Sequence, residues 1–174
     1  MRLKTVFLAI VGALSASAFV IPEGQEDGVY ESYLENGKSV HVKLANSTHD
    51  IANNKKRDAI PASILPRDVS ISCGGARNLN REWFDAAWGN LRWQCGNYGP
   101  TKPRHNYYAI SGDVVAFFCN FNYRDSVQCN EGGADLSGYQ ISTTCGALQS
   151  GWLTNNDEWS YGYDRGRCFC GECV

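Results

Sequence analysis

The chain has 174 residues, eight cysteines, five tryptophans and a formal net charge of −2. So slightly acidic a balance supplies no field for phosphate backbones, which argues against a nucleic-acid partner. No stretch reaches the roughly 18 to 20 apolar residues that a membrane helix needs, so no membrane span is expected.

The N-terminus carries Arg2 and Lys4, an apolar run over 6–14 and then Ala16-Ser17-Ala18, the small-x-small pattern of a secretory cleavage site. Residues 1–18 therefore read as a signal peptide, and the protein as secreted and extracellular. Residues 19–57 hold six acids, few large apolar residues and no cysteine, and end in Lys55-Lys56-Arg57. That composition reads as an extended pro-segment that buries no core. Cutting after Arg57 by a kexin-like protease is expected, the alternative being a solvated basic patch in a linker. Asn46-Ser47-Thr48 is a glycosylation sequon, and a glycan on Asn46 would leave with the pro-segment. The remaining domain is 58–174, starting at Asp58, or at Asp68 if trimming continues to Arg67.

All eight cysteines (Cys73, Cys95, Cys119, Cys129, Cys145, Cys168, Cys170 and Cys173) fall in that domain. In an oxidising compartment they read as up to four disulfides, whose pairing spacing alone does not settle. Cys119 with Cys129 is the expected close pair, Cys73 and Cys95 frame the first helix, and the cysteines at 168–173 must find partners in the body.

Residues 68–73 alternate Val69, Ile71 and Cys73 against Ser70 and Ser72, a short strand with one wet face. From Asn80 the spacing changes to three and four through Phe84, Ala87, Trp88, Leu91 and Cys95. This predicts a helix capped by Asn80 or Asn78 and ended by Gly96. Residues 107–110 suggest a short strand. The run 112–123 is β-branched, aromatic and almost uncharged, and predicts a strand buried on both faces, with Phe84, Trp88 and Leu91 covering one of them. Residues 124–133 read as a polar loop. Ser137-Gly138-Tyr139-Gln140 has capping-box spacing and suggests a second helix ending at Gly146. Two strands follow, 151–154 and 158–164, with Trp159, Tyr161 and Tyr163 on one face of the latter; Cys168 and Cys170 are expected to share a face of a closing strand. The order argues for an α+β fold, a single antiparallel sheet with two helices packed on it as a disulfide-stapled sandwich.

The motifs ISCGG, GDVVAFFCNF, TTCGALQSGWL and WSYGYDRGRCFC, behind a segment beginning IPEGQEDGVYESY, resemble small cysteine-rich secreted proteins of fungi, candidate effectors among them. More distantly, the layout is similar to killer-toxin-like and necrosis-inducing effector proteins. The resemblance implies secretion, a two-helix, one-sheet plan and action on a host or competitor. Killer toxins of this plan use lysines for channel block, whereas 58–174 keeps only Lys102.

No GxSxG, HExxH or P-loop spacing occurs, and 58–174 holds one histidine, His105, beside Arg104. No catalytic residue, metal or cofactor is therefore assigned. A small secreted hydrolase, ribonuclease- or glycosidase-like, is the rival, and a pocket joining His105 to an acid and an arginine would favour it. Asp157 and Glu158 are adjacent in a turn and point apart, which does not make facing carboxylates. The favoured expectation is a non-enzymatic binding protein. Its extracellular protein or glycan target would meet exposed aromatics at Trp152, Trp159, Tyr161 and Tyr163, the alternative being that these rings are core.

Overall fold

The computed structural model describes residues 19–47, 68–156 and 158–171, so the expected signal peptide, the Lys55-Lys56-Arg57 site and Cys173 lie outside the described residues. The apolar run forms strand β6 (Val114–Asn120), buried along its whole length. Alternate residues of a strand leave opposite faces. Val114, Ala116 and Phe118 enter one apolar cluster, and Val115, Phe117 and Cys119 enter another.

β6 lies at the centre of a seven-stranded antiparallel sheet. In spatial order it runs β3 (Lys38–Asn46), β2 (Gly28–Glu35), β5 (Asn106–Ser111), β6, β8 (Trp159–Arg165), β7 (Gly151–Asn155) and β4 (Val69–Cys73). Two helices, α1 (Arg81–Asn97) and α2 (Glu131–Cys145), cover one face, where Ala87, Trp88, Leu91, Ala134 and Ile141 join the first cluster. On the opposite face a two-stranded ribbon, β1 (Phe19–Val20) paired with β9 (Cys168–Phe169), sets Phe19, Ile21 and Phe169 over Tyr108 and Phe117. The α+β architecture with two helices on an antiparallel sheet is as expected, and the ribbon is an addition to it.

Asn80 caps α1, its Oδ1 accepting from the Trp83 N–H at 3.1 Å. The helix runs through Gly96 to Asn97 and closes with the Tyr98 N–H on the Gln94 carbonyl. Gly96 is thus not the cap: it lies against Glu131, whose carboxylate a Cβ there would meet at 2.6 Å. The start of α2 is also corrected. Its cap is Asn130, whose Oδ1 accepts from the Gly133 N–H at 2.7 Å, and the polar 124–133 stretch already contains the first turn. Ser137 and Gly138 sit inside the helix, buried, because Trp88 of α1 presses its indole against Gly138.

The largest correction concerns the expectation that residues 19–57 are extended and bury no core, since their described part is in the fold. β2 pairs with β5 from Gly28↔Ile110 to Ser32↔Asn106, and β3 closes a hairpin on β2 through Asn36 and Gly37, both at positive φ. Phe19, Ile21, Val29 and Tyr30 are core residues. The described acids do not prevent this: Glu23, Glu26 and Asp27 are exposed ahead of β2, Glu35 is exposed at its end and Glu31 meets His105, while Val29 and Tyr30 fill the two inner faces.

Cys73–Cys145 joins β4 to the end of α2, Cys95–Cys129 joins α1 to the turn before α2, and Cys119–Cys170 pins the tail to β6. The expected Cys119–Cys129 pair is excluded by the two faces, because Cys119 packs on the ribbon side and Cys129 on the helix side. Cys168 is also disulfide-bonded. Cys170 has a positive φ of 56° and lies beyond β9, so it does not share a strand face with Cys168.

Candidate functional site

The four candidate aromatics divide between the two faces of the sheet. Trp159, Tyr161 and Tyr163 share a face, as their spacing requires, but it is the helix face. Tyr161 and Tyr163 are 2% and 0% exposed, and Trp159 is half-buried beside Phe118. Tyr163 is wedged between Phe84 and Trp88, with centroids 4.7 and 5.4 Å away. The Tyr161 hydroxyl accepts from the Asn130 N–H at 3.2 Å and thereby ties β8 to the start of α2. Burial pushes the Tyr161 phenol above its ordinary range and the Tyr163 phenol up to about 12. Tyr161 and Tyr163 are therefore core residues and not a recognition surface.

Trp152 points the other way. Residues in register across a sheet share a face, and one row crosses all seven strands: Lys43, Tyr30, Tyr108, Phe117, Gly162, Trp152 and Ser72. The ribbon covers Tyr108 and Phe117, and beyond it Trp152 stands 36% exposed. Gly162 makes room for it, since a Cβ there would lie 2.5 Å from the Phe117 ring and 2.7 Å from the Trp152 Cβ. The next row on this face carries the hydroxyls of Ser70, Thr154 and Ser160, with Ser70 and Ser72 exposed. Trp152 is thus an indole standing among hydroxyls on the part of the sheet that neither helix covers.

The other candidate chemistry gathers at the far side of the sheet. His105 precedes β5, and its Nδ1 lies 2.7 Å from Glu31 Oε1 on β2, both side chains about one-fifth exposed. The Tyr33 ring stacks on the imidazole at 4.6 Å. Arg104, at positive φ, lays its guanidinium 3.6 Å from the centre of the Tyr123 ring. An acid therefore does meet His105, and it comes from the segment read as a pro-segment. The same segment contributes a further histidine, His41, whose Nδ1 is 2.8 Å from the Tyr108 hydroxyl, which in turn accepts from Gln25 Nε2 at 2.6 Å. His41 is in register with Ser32, whereas Glu31 is in register with Tyr107, so the two imidazoles occupy opposite faces of the sheet. They do not converge on one reacting bond.

Asp157 lies outside the described residues and Glu158 is exposed. Among the described residues no group of three or more His, Cys, Asp or Glu side chains is arranged to hold a metal ion, and no helix is long and apolar enough to cross a membrane. Asn46 is exposed at the end of β3, and the Ser47 hydroxyl accepts from Asn90 Nδ2 at 2.9 Å. Arg57 lies outside the described residues.

The residues that sequence reasoning missed, Glu31, Tyr33 and His41, all belong to the 28–46 hairpin. A signal for it exists: Asn36-Gly37 between two alternating runs is the strongest short-range mark of a hairpin. No protein-family model, curated protein or solved structure matches this chain.

Proposed function

We propose that the protein is a secreted, non-enzymatic effector or toxin-like protein that acts outside the producing cell on a host or competitor target. The observation that supports this best is the exposed Trp152 indole amid the hydroxyls of Ser70, Ser72 and Thr154 on the face away from the helices. A flat ring beside hydroxyls stacks on the apolar face of a sugar while the hydroxyls bond its edges, which favours a glycan over a protein as the first contact. The leader-like N-terminus, the disulfides and the resemblance to fungal secreted proteins are consistent with extracellular action.

A second reading, a small hydrolase, is favoured by the His105–Glu31 contact alone. One experiment separates the two: purified protein, Trp152→Ala and His105→Ala, each shown to be folded, are applied to target tissue or competitor cells and to insoluble cell-wall polysaccharide. The binding reading expects Trp152→Ala to lose binding and effect while His105→Ala keeps both. Loss with His105→Ala alone would overturn it in favour of the hydrolase.

A further inference from the structure

We propose that cutting the chain at its dibasic site nicks the protein without releasing the N-terminal segment, so that the processed form is a two-chain particle held together without a covalent link. The inference goes beyond the proposed function and does not depend on it. It rests on the juxtaposition of an integral hairpin, a tail ribbon and the absence of any cysteine between residues 19 and 57.

Three kinds of contact hold the segment. The first is backbone pairing, since β2 supplies the outer neighbour of β5 and β1 that of β9. Stripping the segment would leave both as open edges. The second is apolar: Val29 packs into the helix-side cluster, and Phe19, Ile21 and Tyr30 into the ribbon-side cluster. Without them Tyr108, Ile110 and Phe117, all buried, would form an open apolar patch. The third is polar and directional. Fully buried Gln94 donates to the Tyr30 carbonyl at 2.8 Å, and the Asp27 carboxylate accepts from the Gly112 N–H at 3.0 Å. Removing the segment would take away the acceptor of the Gln94 amide.

A domain of 58–174 alone would thus lose three strands, β1, β2 and β3, and with them Phe19 and Ile21 from the ribbon-side cover. Cutting at the dibasic site breaks the covalent link and leaves these contacts of 19–47 in place, turning an intramolecular contact into an association of two chains. The particle would then carry two N-termini, at Phe19 and Asp58. Glu31 would stay on His105, and the Asn46 sequon would remain with the secreted protein.

The test uses oxidised protein spanning 19–174, cut by a dibasic-specific protease, together with a second chain carrying a site-specific protease sequence inserted after Arg57 so that cutting is assured. The expected result is one native size-exclusion peak at the mass of the uncut chain, yielding both N-termini in equal amounts. That peak should split into two polypeptides in denaturant without reductant. In the nicked form Tyr30→Ala should dissociate at a protein concentration at least tenfold higher than the parent. A native peak containing 58–174 alone would overturn the proposal, and so would a nicked Tyr30→Ala that holds its fragment as tightly as the parent.

Discussion

The body at 68–171 and the hairpin segment at 19–47 belong to one sheet but are secured by different means. The body is closed by Cys73–Cys145, Cys95–Cys129 and Cys119–Cys170, and by two helices sharing an apolar cluster with β6. The segment has no disulfide, and its outer strand β3 is mostly solvent-facing. A disulfide acts mainly on the unfolded chain by shortening its loops, whereas strand pairing and packing act only in the folded state. Loss of the native contacts therefore frees the segment, while it leaves the body cross-linked. The difference teaches that the part of the sheet nearest the His105–Glu31 contact is held only by contacts of the folded state, so that once the protein unfolds it is the part that no cross-link retains.

The comparison is broken most severely from the body side. Phe118 is fully buried at the centre of the helix-side cluster. Phe118→Ala should cost about 3 to 5 kcal/mol in chemical denaturation and unfold body and segment together. Denaturation with an unchanged midpoint would contradict the central place of β6. Removing the Cys95–Cys129 link, with both residues changed to Ala, should cost about 3 to 4 kcal/mol for a loop of that size. It would remove one of the body's cross-links while Cys73–Cys145 and Cys119–Cys170 remain, and the gap in protease resistance between the two regions should narrow.

Gly162→Ala sharpens the comparison at the boundary between ribbon and open face. A Cβ there meets the Phe117 ring at 2.5 Å and the base of Trp152 at 2.7 Å. The expected cost is about 1 to 3 kcal/mol, with loss of binding through Trp152 if that ring is the recognition surface. Calorimetry and a binding assay read the two effects separately.

The smallest effect is acid sensitivity in the segment. Burial holds the His41 imidazole below its ordinary value of 6.5. The Tyr108 hydroxyl, which accepts from Gln25, can donate to His41 Nδ1 only when that nitrogen carries no proton, as the neutral ring allows. Because the folded-state pKa is depressed, the unfolded chain takes up the proton first. Stability is complete above about pH 6.5 and falls as the pH drops below it. His41→Gln should flatten that slope between pH 7 and 5, measured by thermal unfolding; an unaltered slope would assign the acid sensitivity elsewhere.

What the sequence made legible follows from where local signals coincide with burial. The alternation at 114–120, the three-and-four spacing after Asn80, and the shared face of Trp159, Tyr161 and Tyr163 are properties of short stretches, and each is present in the fold. Which way a shared face points is set by distant elements. The Trp159 face met Phe84 and Trp88 of α1, and sequence could not distinguish that from exposure. Cysteine pairing was hidden for the same reason, since Cys119 and Cys129 are close in sequence but lie on opposite sides of the sheet. The hairpin at 28–46 was masked by its charge. Glu31, Glu35, Lys38 and Lys43 lower the mean hydropathy of the stretch, although period-two alternation and Asn36-Gly37 run through it. The candidate site inherits that omission, because Glu31 reaches His105 only through the β2–β5 register.

Hydrogen exchange on the oxidised, uncut protein is the direct test of whether the 28–46 hairpin is a structural member of the sheet. Amides of β2 between Val29 and Ser32 should exchange as slowly as those of β5 and be released in the same unfolding event. Exchange of the β2 amides at the rate of an open chain, with β5 still protected, would contradict it.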